Sequence, residues 1–420
     1  MNLKVRLSLM NFLEFAVWGA YLTSMGRYLG NIGFGSKIAY FYSMQGIVSI
    51  FMPALMGIVA DRWIPAQRLL GYCHLLAGMF MFVLSWYGYV AGNSTDFSTL
   101  FSLYSLSVAF YMPTLALTNS VAYFSLKQKG YDIVKDFPPI RIFGTIGFIL
   151  TMWIVDILGF QGNQNQFVTS GVVSIILFIY SLSLPNCTIN KSNTKTSLID
   201  AFGLRGFTLF KEKRIAIFFL FSMLLGVSLQ ITNSFANPFL FSFKPDFPDA
   251  FGVQHANILI SLSQISETFC ILLIPFFMRK YGIKNVMLIA MFAWVLRFAL
   301  FGIGNPGMPG VLLFILSMIV YGMAFDFFNI SGSLFVDNNT DSSLRSSAQG
   351  IFMLMTNGIG ATIGTLSAQQ IINHFTHPEK FGTDTLMRGD WQTCWFIFAG
   401  YSLIVGIAFA LIFKPKEKAK

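Results

Sequence analysis

Two acidic residues stand inside stretches that are otherwise apolar and long enough to cross a membrane. Asp326 lies near the centre of residues 311–335, and Glu267 lies within residues 258–277. A carboxylate in hydrocarbon costs about 3 kcal/mol even on lenient insertion scales, so it needs a partner, a proton or a water-filled cavity. Two such acids in one chain therefore indicate a proton relay or a solute site, which is the chemistry of proton-driven transport.

Polar side chains recur at helical spacing in four of the apolar stretches. Spacings of three, four or seven residues place side chains on one face of a helix. The sets are Arg141, Thr145 and Phe148; Gln230, Asn233 and Asn237; Gln264 and Glu267; and Tyr321, Phe325 and Asn329 with Asp326 beside them. Because unsatisfied polar groups are costly in lipid, we expect these faces to converge on a cavity. For any single amide or hydroxyl, a hydrogen bond to a neighbouring helix remains the alternative.

The types of these residues limit the solute that such a cavity would bind. Amides, carboxylates and hydroxyls suit neutral, hydroxyl-rich solutes such as sugars and ribose, and amides also match the edges of nucleobases. The rings of Phe148, Tyr321 and Phe325 could stack on a flat solute. A single basic group among acids argues against polyanionic substrates. From the residues alone, sugars and nucleosides both remain open.

The composition is that of an integral membrane protein. Of the 420 residues, 55% are hydrophobic and 11% are charged, and the mean hydropathy is +0.64. Soluble domains carry about 25% charged residues. Hydropathy predicts twelve membrane spans. They lie near residues 6–28, 38–60, 68–90, 98–125, 139–160, 165–184, 214–241, 254–277, 284–304, 309–335, 345–373 and 391–413.

A polar linker at residues 186–213 divides the spans six and six, which predicts halves at 1–185 and 214–413 and a tail at 414–420. With both termini in the cytoplasm, most of the 28 Lys and Arg residues fall in cytoplasmic segments. Those outside are Arg27, Lys37, Lys244, Lys380 and Arg388. This asymmetry predicts cytoplasmic termini. The basic residues form no single stripe, so we expect no nucleic-acid partner.

Neither a metal site nor an enzyme active site is visible in the sequence. The cysteines (Cys73, Cys187, Cys270 and Cys394) lie in different segments without CxxC spacing, and the histidines form no metal-binding pair. We therefore expect no disulfide, metal or other cofactor. An intramembrane nucleophile with a base is also missing, and the linker and tail are too short for the output domain of a receptor. A secondary active transporter is the remaining class.

The two halves contain similar cytoplasmic turns. GIVADRWIPAQR stands between the second and third spans, and FFMRKYGIKN takes the matching place between the eighth and ninth. Two such six-helix halves resemble the major facilitator architecture. Gly57, Asp61 and Arg62 resemble the turn by which that superfamily latches its helices on the cytoplasmic side. An ordinary turn with positive charges is the alternative.

Several longer strings resemble one family within that superfamily. They are MNLKVRLSLMNFLEFAVWG, FPPIRIFGTIGF, LQITNSF, SQISETF, LRFALF and YGMAFDFFNISGS. They are similar to the bacterial nucleoside:proton symporters, which include nucleoside and xanthosine permeases, and the similarity extends to about Phe413. It implies an all-α integral membrane protein of twelve transmembrane helices in two halves. The implied function is proton-coupled nucleoside uptake across the bacterial cytoplasmic membrane, by a monomer in the lipid bilayer. A proton-coupled sugar or oligosaccharide porter is the alternative.

The resemblance also implies roles for the polar residues. The implied nucleoside-binding residues are Arg141, Thr145, Phe148, Gln230, Asn233, Gln264, Glu267, Tyr321, Phe325 and Asn329. Asp326, and secondarily Glu267, are the implied proton carriers, while nucleoside and proton are the implied partners.

Three features depart from the family pattern. Glu14 replaces a usual Gln, Arg27 replaces a usual small residue, and the loop 374–390 is longer than is typical. Glu14 is ambiguous, because near the cytoplasmic end of its span it could reach water. Arg297 stands alone on its predicted helix, and we interpret it as a structural partner of an acid in its own half.

Overall fold

A computed structural model of the protein describes residues 2–188, 204–341 and 344–414. Most of the predicted linker and nearly all of the predicted tail lie outside the described residues. The chain forms two compact units. Unit 1 comprises Met1–Ser197 with Lys380–Leu386, and unit 2 comprises Leu198–Glu379 with Met387–Lys420. The predicted domain boundaries themselves stay a prediction.

Unit 1 is built from helices whose long apolar runs keep their backbone hydrogen bonds internal, as hydrocarbon requires. Two of them begin at a polar cap. Asn2 Oδ1 accepts from the Lys4 amide (3.2 Å), and Asp96 Oδ2 accepts from the Thr99 amide (2.8 Å). The helices are α1 (Leu3–Gly19), α2 (Met25–Leu29), α3 (Ile38–Arg62), α4 (Ala66–Ala91), α5 (Phe97–Gln128), α6 (Ile133–Ile157) and α7 (Asn165–Ser181). Short π and 3-10 turns at Gly30–Phe34 and Gly35–Lys37 join α2 to α3.

Unit 2 contains the remaining helices of the described residues. The helices are α8 (Lys213–Leu229), α9 (Ile231–Phe241), α10 (Phe251–Gln254), α11 (Ala256–Ile303), α12 (Val311–Asn338), α13 (Arg345–Met353), α14 (Ala361–Phe375) and α15 (Trp391–Ile412). A 3-10 helix at Leu204–Lys211 precedes α8, and a π turn at Leu354–Gly360 separates α13 from α14. The predicted external loop 374–390 folds as a hairpin of β1 (Thr376–Phe381) and β2 (Asp384–Gly389), whose tip belongs to unit 1.

The described residues contain nine helical stretches that are long and apolar enough to cross a membrane. One of them, α11, is interrupted at Gly282, whose φ of +74° favours glycine, so it covers two predicted spans. The helices α1 and α7 have 17 residues each and fall below that length. Each predicted span thus contains a helix, while the count of twelve crossings stays a prediction.

Glycines let neighbouring helices approach almost to backbone contact, which is how membrane helices gain packing energy. In unit 1, a Cβ on Gly147 of α6 would lie 2.1 Å from the Phe12 carbonyl oxygen of α1. In unit 2, a Cβ on Gly364 of α14 would lie 2.0 Å from the Val227 carbonyl oxygen of α8. These contacts fix the separation of the helices that hold the polar faces.

The close approach at Gly364 predicts a stability effect. Gly364→Ala should force α14 away from α8 and lower the melting temperature of the purified protein, because overpacking costs about 1–3 kcal/mol. Gly400→Ala in α15 is the matched control, since no atom lies within 4 Å of its added methyl group. The control should melt at the wild-type temperature or slightly above it. Equal melting temperatures for the two variants would contradict the packing described here.

Candidate functional site

In unit 1, the predicted polar face lies on α6 and packs against aromatic residues of α1. The guanidinium carbon of Arg141 lies 3.8 Å from the centre of the Phe15 ring, which is a cation–π contact. One turn further along, Thr145 is half-buried. Phe148 is buried and meets the Trp18 ring edge-on, with ring centres 6.3 Å apart. The predicted spacing therefore does place the three residues along one packed side of α6.

The orientation of Trp18 is held by a chain of hydrogen bonds. Trp18 Nε1 donates to Gln45 Oε1 (3.3 Å), and Gln45 Nε2 donates to the hydroxyl of Tyr104 (2.7 Å). Gln45 and Tyr104 are both buried. Since these partners come from α3 and α5, three helices of unit 1 determine where the Trp18 ring, and hence Phe148, lies.

In unit 2, Gln230 and Asn233 lie at the junction of α8 and α9. Asn233 Nδ2 donates to Gln230 Oε1 (2.8 Å), and both side chains are half-buried. Asn237 differs, because it is fully buried and its Nδ2 donates to Oδ1 of Asn257 on α11 (2.9 Å). Asn237 is thus a helix-to-helix contact, as the alternative interpretation of these amides allows, while Gln230 and Asn233 remain candidates for a solute.

The two predicted intramembrane acids lie on the adjacent helices α11 and α12, near the same tyrosine. A Cβ on Gly322 would lie 2.7 Å from the Ser266 carbonyl oxygen, so the two helices nearly touch beside the acids. Glu267 and Asp326 both act electrostatically on the hydroxyl of Tyr321. Asp326 is buried, and Glu267 is half-buried. Two carboxyl groups therefore share one cluster, although they are far apart in sequence.

The ring of Tyr321 packs against two other side chains in this cluster. It stacks on Phe325 with ring centres 5.5 Å apart, and the guanidinium carbon of Arg297 lies 4.5 Å from its centre. Arg297 Nη1 also donates to the Ser317 carbonyl oxygen (2.8 Å). The prediction that Arg297 pairs with an acid is wrong for the part of the chain that the structure describes. A carbonyl group and aromatic rings take the place of that acid.

Asn329 lies one turn beyond Asp326 on α12. Its Oδ1 is buried and accepts no hydrogen bond from any residue that the structure describes. A buried polar atom without a partner costs about 1–3 kcal/mol, and Asn329 Oδ1 is one of several such side-chain atoms among the described residues. A donor group on a bound solute would supply the partner. Gln264, one turn before Glu267 on α11, is half-buried.

The predicted latch residues lie in the last two turns of α3. Asp61 and Arg62 are exposed at the end of that helix. Gly57 lies one turn before Asp61, and no atom would come within 4 Å of a Cβ placed on it. Their latching role stays a prediction.

The ambiguous Glu14 does not reach water, because the structure buries this residue completely. Its carboxylate accepts hydrogen bonds from the hydroxyls of Thr114 (2.6 Å) and Thr118 (2.8 Å), and His74 Nε2 lies 2.9 Å from Oε2. These partners come from α4 and α5. In the sequence, the acid and the histidine stand in two separate apolar stretches, and nothing in their spacing predicts that they pair. Only the folded structure brings them together.

Arg27, the second departure from the family pattern, has acidic neighbours within unit 1. Arg27 is half-buried and interacts electrostatically with Asp156 at the end of α6 and with Asp384 at the hairpin tip. The longer loop and the unusual arginine are therefore connected features.

Within the described residues, no group of His, Cys, Asp and Glu could hold a metal ion, and the cysteines are buried thiols.

Known proteins match the chain over nearly its whole length. The family model for nucleoside H+ symporters matches residues 1–418. Nucleoside permease NupG of Escherichia coli (strain K12) is 47% identical over 421 residues, which cover 99% of this chain and 97% of that protein. The xanthosine permease of Escherichia coli (strain K12) is 45% identical over 418 residues, covering 99% and 96%.

Solved structures match the fold as well. A crystal structure of the nucleoside transporter NupG has a TM-score of 0.88 at 46% identity, covering 99% of this chain and all of that one (100%). A crystal structure of a D-xylose-proton symporter has a TM-score of 0.71 at 12% identity, with both chains fully covered (100%). The second likeness shows a shared fold and nothing about the solute.

Proposed function

Because this chain belongs to the nucleoside H+ symporter family, we propose that it takes up nucleosides together with protons by alternating access. The family, the helical multi-pass membrane fold and the class of transporter rather than enzyme, all predicted from the sequence, are confirmed by the matches.

The observation that carries the mechanism is the cluster of Asp326, Glu267 and Tyr321 in unit 2. A protonated Asp326 is neutral and can be enclosed by apolar helices, whereas the charged form is costly to enclose. If the carrier reorients only with both proton and nucleoside bound, the proton gradient drives uptake. We assign the carried proton to Asp326, with Glu267 as the second candidate.

The available driving force is large enough for concentrative uptake. One unit of pH difference supplies about 1.4 kcal/mol per proton, and 100 mV of membrane potential supplies about 2.3 kcal/mol per charge. Since each 1.4 kcal/mol corresponds to about a tenfold ratio, one proton per nucleoside supports a concentration ratio of several hundred-fold.

We assign nucleoside binding to polar and aromatic residues of both units. The amides of Gln230, Asn233, Gln264 and Asn329 and the carboxyl group of Glu267 suit base edges and ribose hydroxyls. The open Oδ1 of Asn329 supports this assignment most directly. Phe148 or Phe325 would pack on the base, and Arg141, Thr145 and Tyr321 complete the set.

The setting of the transporter in its membrane is part of the proposal. The excess of basic residues in alternate loops supports cytoplasmic termini in the bacterial cytoplasmic membrane. Gly57, Asp61 and Arg62 would then latch the cytoplasmic side. We also propose that the chain acts as a monomer.

Two asparagines of unit 2 provide a matched pair of substitutions for nucleoside binding. Asn329→Ala, like Arg141→Ala and Gln264→Ala, should weaken the binding of labelled nucleoside by roughly five- to a hundred-fold, because it removes a partner of a buried solute. It should not lower the melting temperature, since Oδ1 has no protein partner to lose among the described residues. Asn237→Ala should do the reverse: lower the melting temperature and leave affinity unchanged. Unchanged affinity in all three predicted binding variants would make these faces helix contacts only.

Asp326→Asn should separate coupling from transport. Asparagine has the shape of the protonated carboxyl group and cannot release a proton, so proton-driven accumulation of nucleoside in proteoliposomes should disappear. Counterflow exchange needs only reorientation of the loaded carrier, and it should survive at least in part. Glu267→Gln is the companion variant and should act mainly on affinity. Accumulation that persists in correctly folded Asp326→Asn would rule out Asp326 as the carrier.

A further inference from the structure

Arg297 is a buried cation of unit 2 that has no part in the proposed function so far. It lies in the part of α11 that follows the break at Gly282, and the residue is 1% exposed. Its Nη1 donates to the Ser317 carbonyl oxygen of α12 (2.8 Å) and lies 3.4 Å from the hydroxyl oxygen of Ser263 in the first part of α11. Ser317 Oγ donates in turn to the Arg297 carbonyl oxygen (3.0 Å). These contacts hold the guanidinium between three helical segments.

The stability of the fold does not explain why an arginine occupies this position. A guanidinium keeps its charge in proteins, and no acid takes part in the contacts of Arg297 with described residues. Its Nε is also buried and has no hydrogen-bond partner among those residues. A buried charge without an ion pair is costly, and apolar side chains of similar volume often replace buried charged groups without loss of stability. The reason for the arginine must therefore lie in what its side chain contacts.

That contact is the ring of Tyr321, one turn after Ser317 on α12. The guanidinium carbon of Arg297 lies 4.5 Å from the centre of the ring. Trp294, one turn before Arg297, meets the same ring edge-on, with ring centres 5.9 Å apart. The stacked neighbour Phe325 belongs to α12, as Tyr321 itself does. Through Arg297 and Trp294, α11 therefore fixes the position of a ring on another helical segment.

A fixed ring matters because Tyr321 belongs to the proposed nucleoside site. Its hydroxyl forms no hydrogen bond with any residue that the structure describes, so the group is available to a solute. A side chain that is mobile before binding must be ordered when the solute arrives, which weakens binding by about two- to tenfold. A ring that is already held avoids this loss.

We propose that Arg297 is a positioning residue for nucleoside binding, which holds the ring of Tyr321 in the orientation that the nucleoside meets. Arg297 itself contacts no solute, because its side chain is enclosed. The inference rests on the proposed function in one respect: it requires that Tyr321 bind the nucleoside. Loss of the guanidinium should therefore weaken binding without weakening the fold.

The first test compares uridine affinity with melting temperature in the purified full-length protein. In Arg297→Met, an unbranched apolar side chain replaces the guanidinium and leaves no buried charge. The dissociation constant for uridine, measured by calorimetry, should rise about two- to tenfold. The melting temperature should stay at the wild-type value or rise. Unchanged affinity, a clearly lower melting temperature or loss of folded protein would each overturn the inference.

Met291→Ala is the matched control in the same part of α11. Met291 is completely buried and lies beside Gly406 of α15, away from the Tyr321 ring contacts described above. Its truncation leaves a cavity and should lower the melting temperature, while the affinity for uridine should stay at the wild-type value. The two variants should thus change opposite quantities, which separates positioning from packing.

A double variant determines whether Arg297 acts through Tyr321. Tyr321→Leu alone should weaken uridine binding, because the proposed site loses a ring and a hydroxyl group. Adding Arg297→Met should then change the dissociation constant by less than about twofold, since no tyrosine ring remains to be held. A further loss as large as that of Arg297→Met alone would overturn the inference and leave the proposed function intact. Wild-type affinity in Tyr321→Leu would refute the role of Tyr321 and the inference with it, whereas a wild type that binds no uridine would refute the proposed function itself.

Discussion

The cost of a charge in hydrocarbon governs the organisation of both units. Every acid that lies within the apolar helices must hold a proton, a partner or a place at a cavity. In unit 2, Asp326 and Glu267 share a cluster with Tyr321, and in unit 1, Glu14 is enclosed by hydroxyls and an imidazole. The same constraint thus has two solutions. One places two acids beside an aromatic hydroxyl, and the other surrounds a single acid with hydrogen-bond donors.

Close helix packing makes both solutions possible. Gly322 lets α12 approach the backbone of α11 at Ser266, and Gly147 lets α6 approach the backbone of α1 at Phe12. A larger residue at either place would separate the helices and the polar groups that they position. These glycines are therefore needed to place the neighbouring polar groups, although their own role is only helix packing.

Sequence reasoning predicted those features that depend on local pattern. The apolar run 309–335 became α12 (Val311–Asn338), because a chain in lipid must satisfy its backbone within a helix. Helical spacing likewise paired Gln230 with Asn233. Features that depend on distant contacts were missed or wrong. Glu14 meets His74 60 residues away and Thr114 100 residues away, and no spacing rule connects them. Arg297 donates to a carbonyl group and lies over an aromatic ring, and no acid takes part in these contacts.

The most direct test of proton–nucleoside coupling is proton movement caused by nucleoside alone. Purified protein is reconstituted in proteoliposomes without any imposed gradient, and the pH of a weakly buffered external medium is recorded after uridine is added. We expect the medium to become more alkaline as protons enter with the nucleoside, and a protonophore should abolish the change. Entry of labelled uridine at a normal rate, with no change in external pH, would contradict coupling.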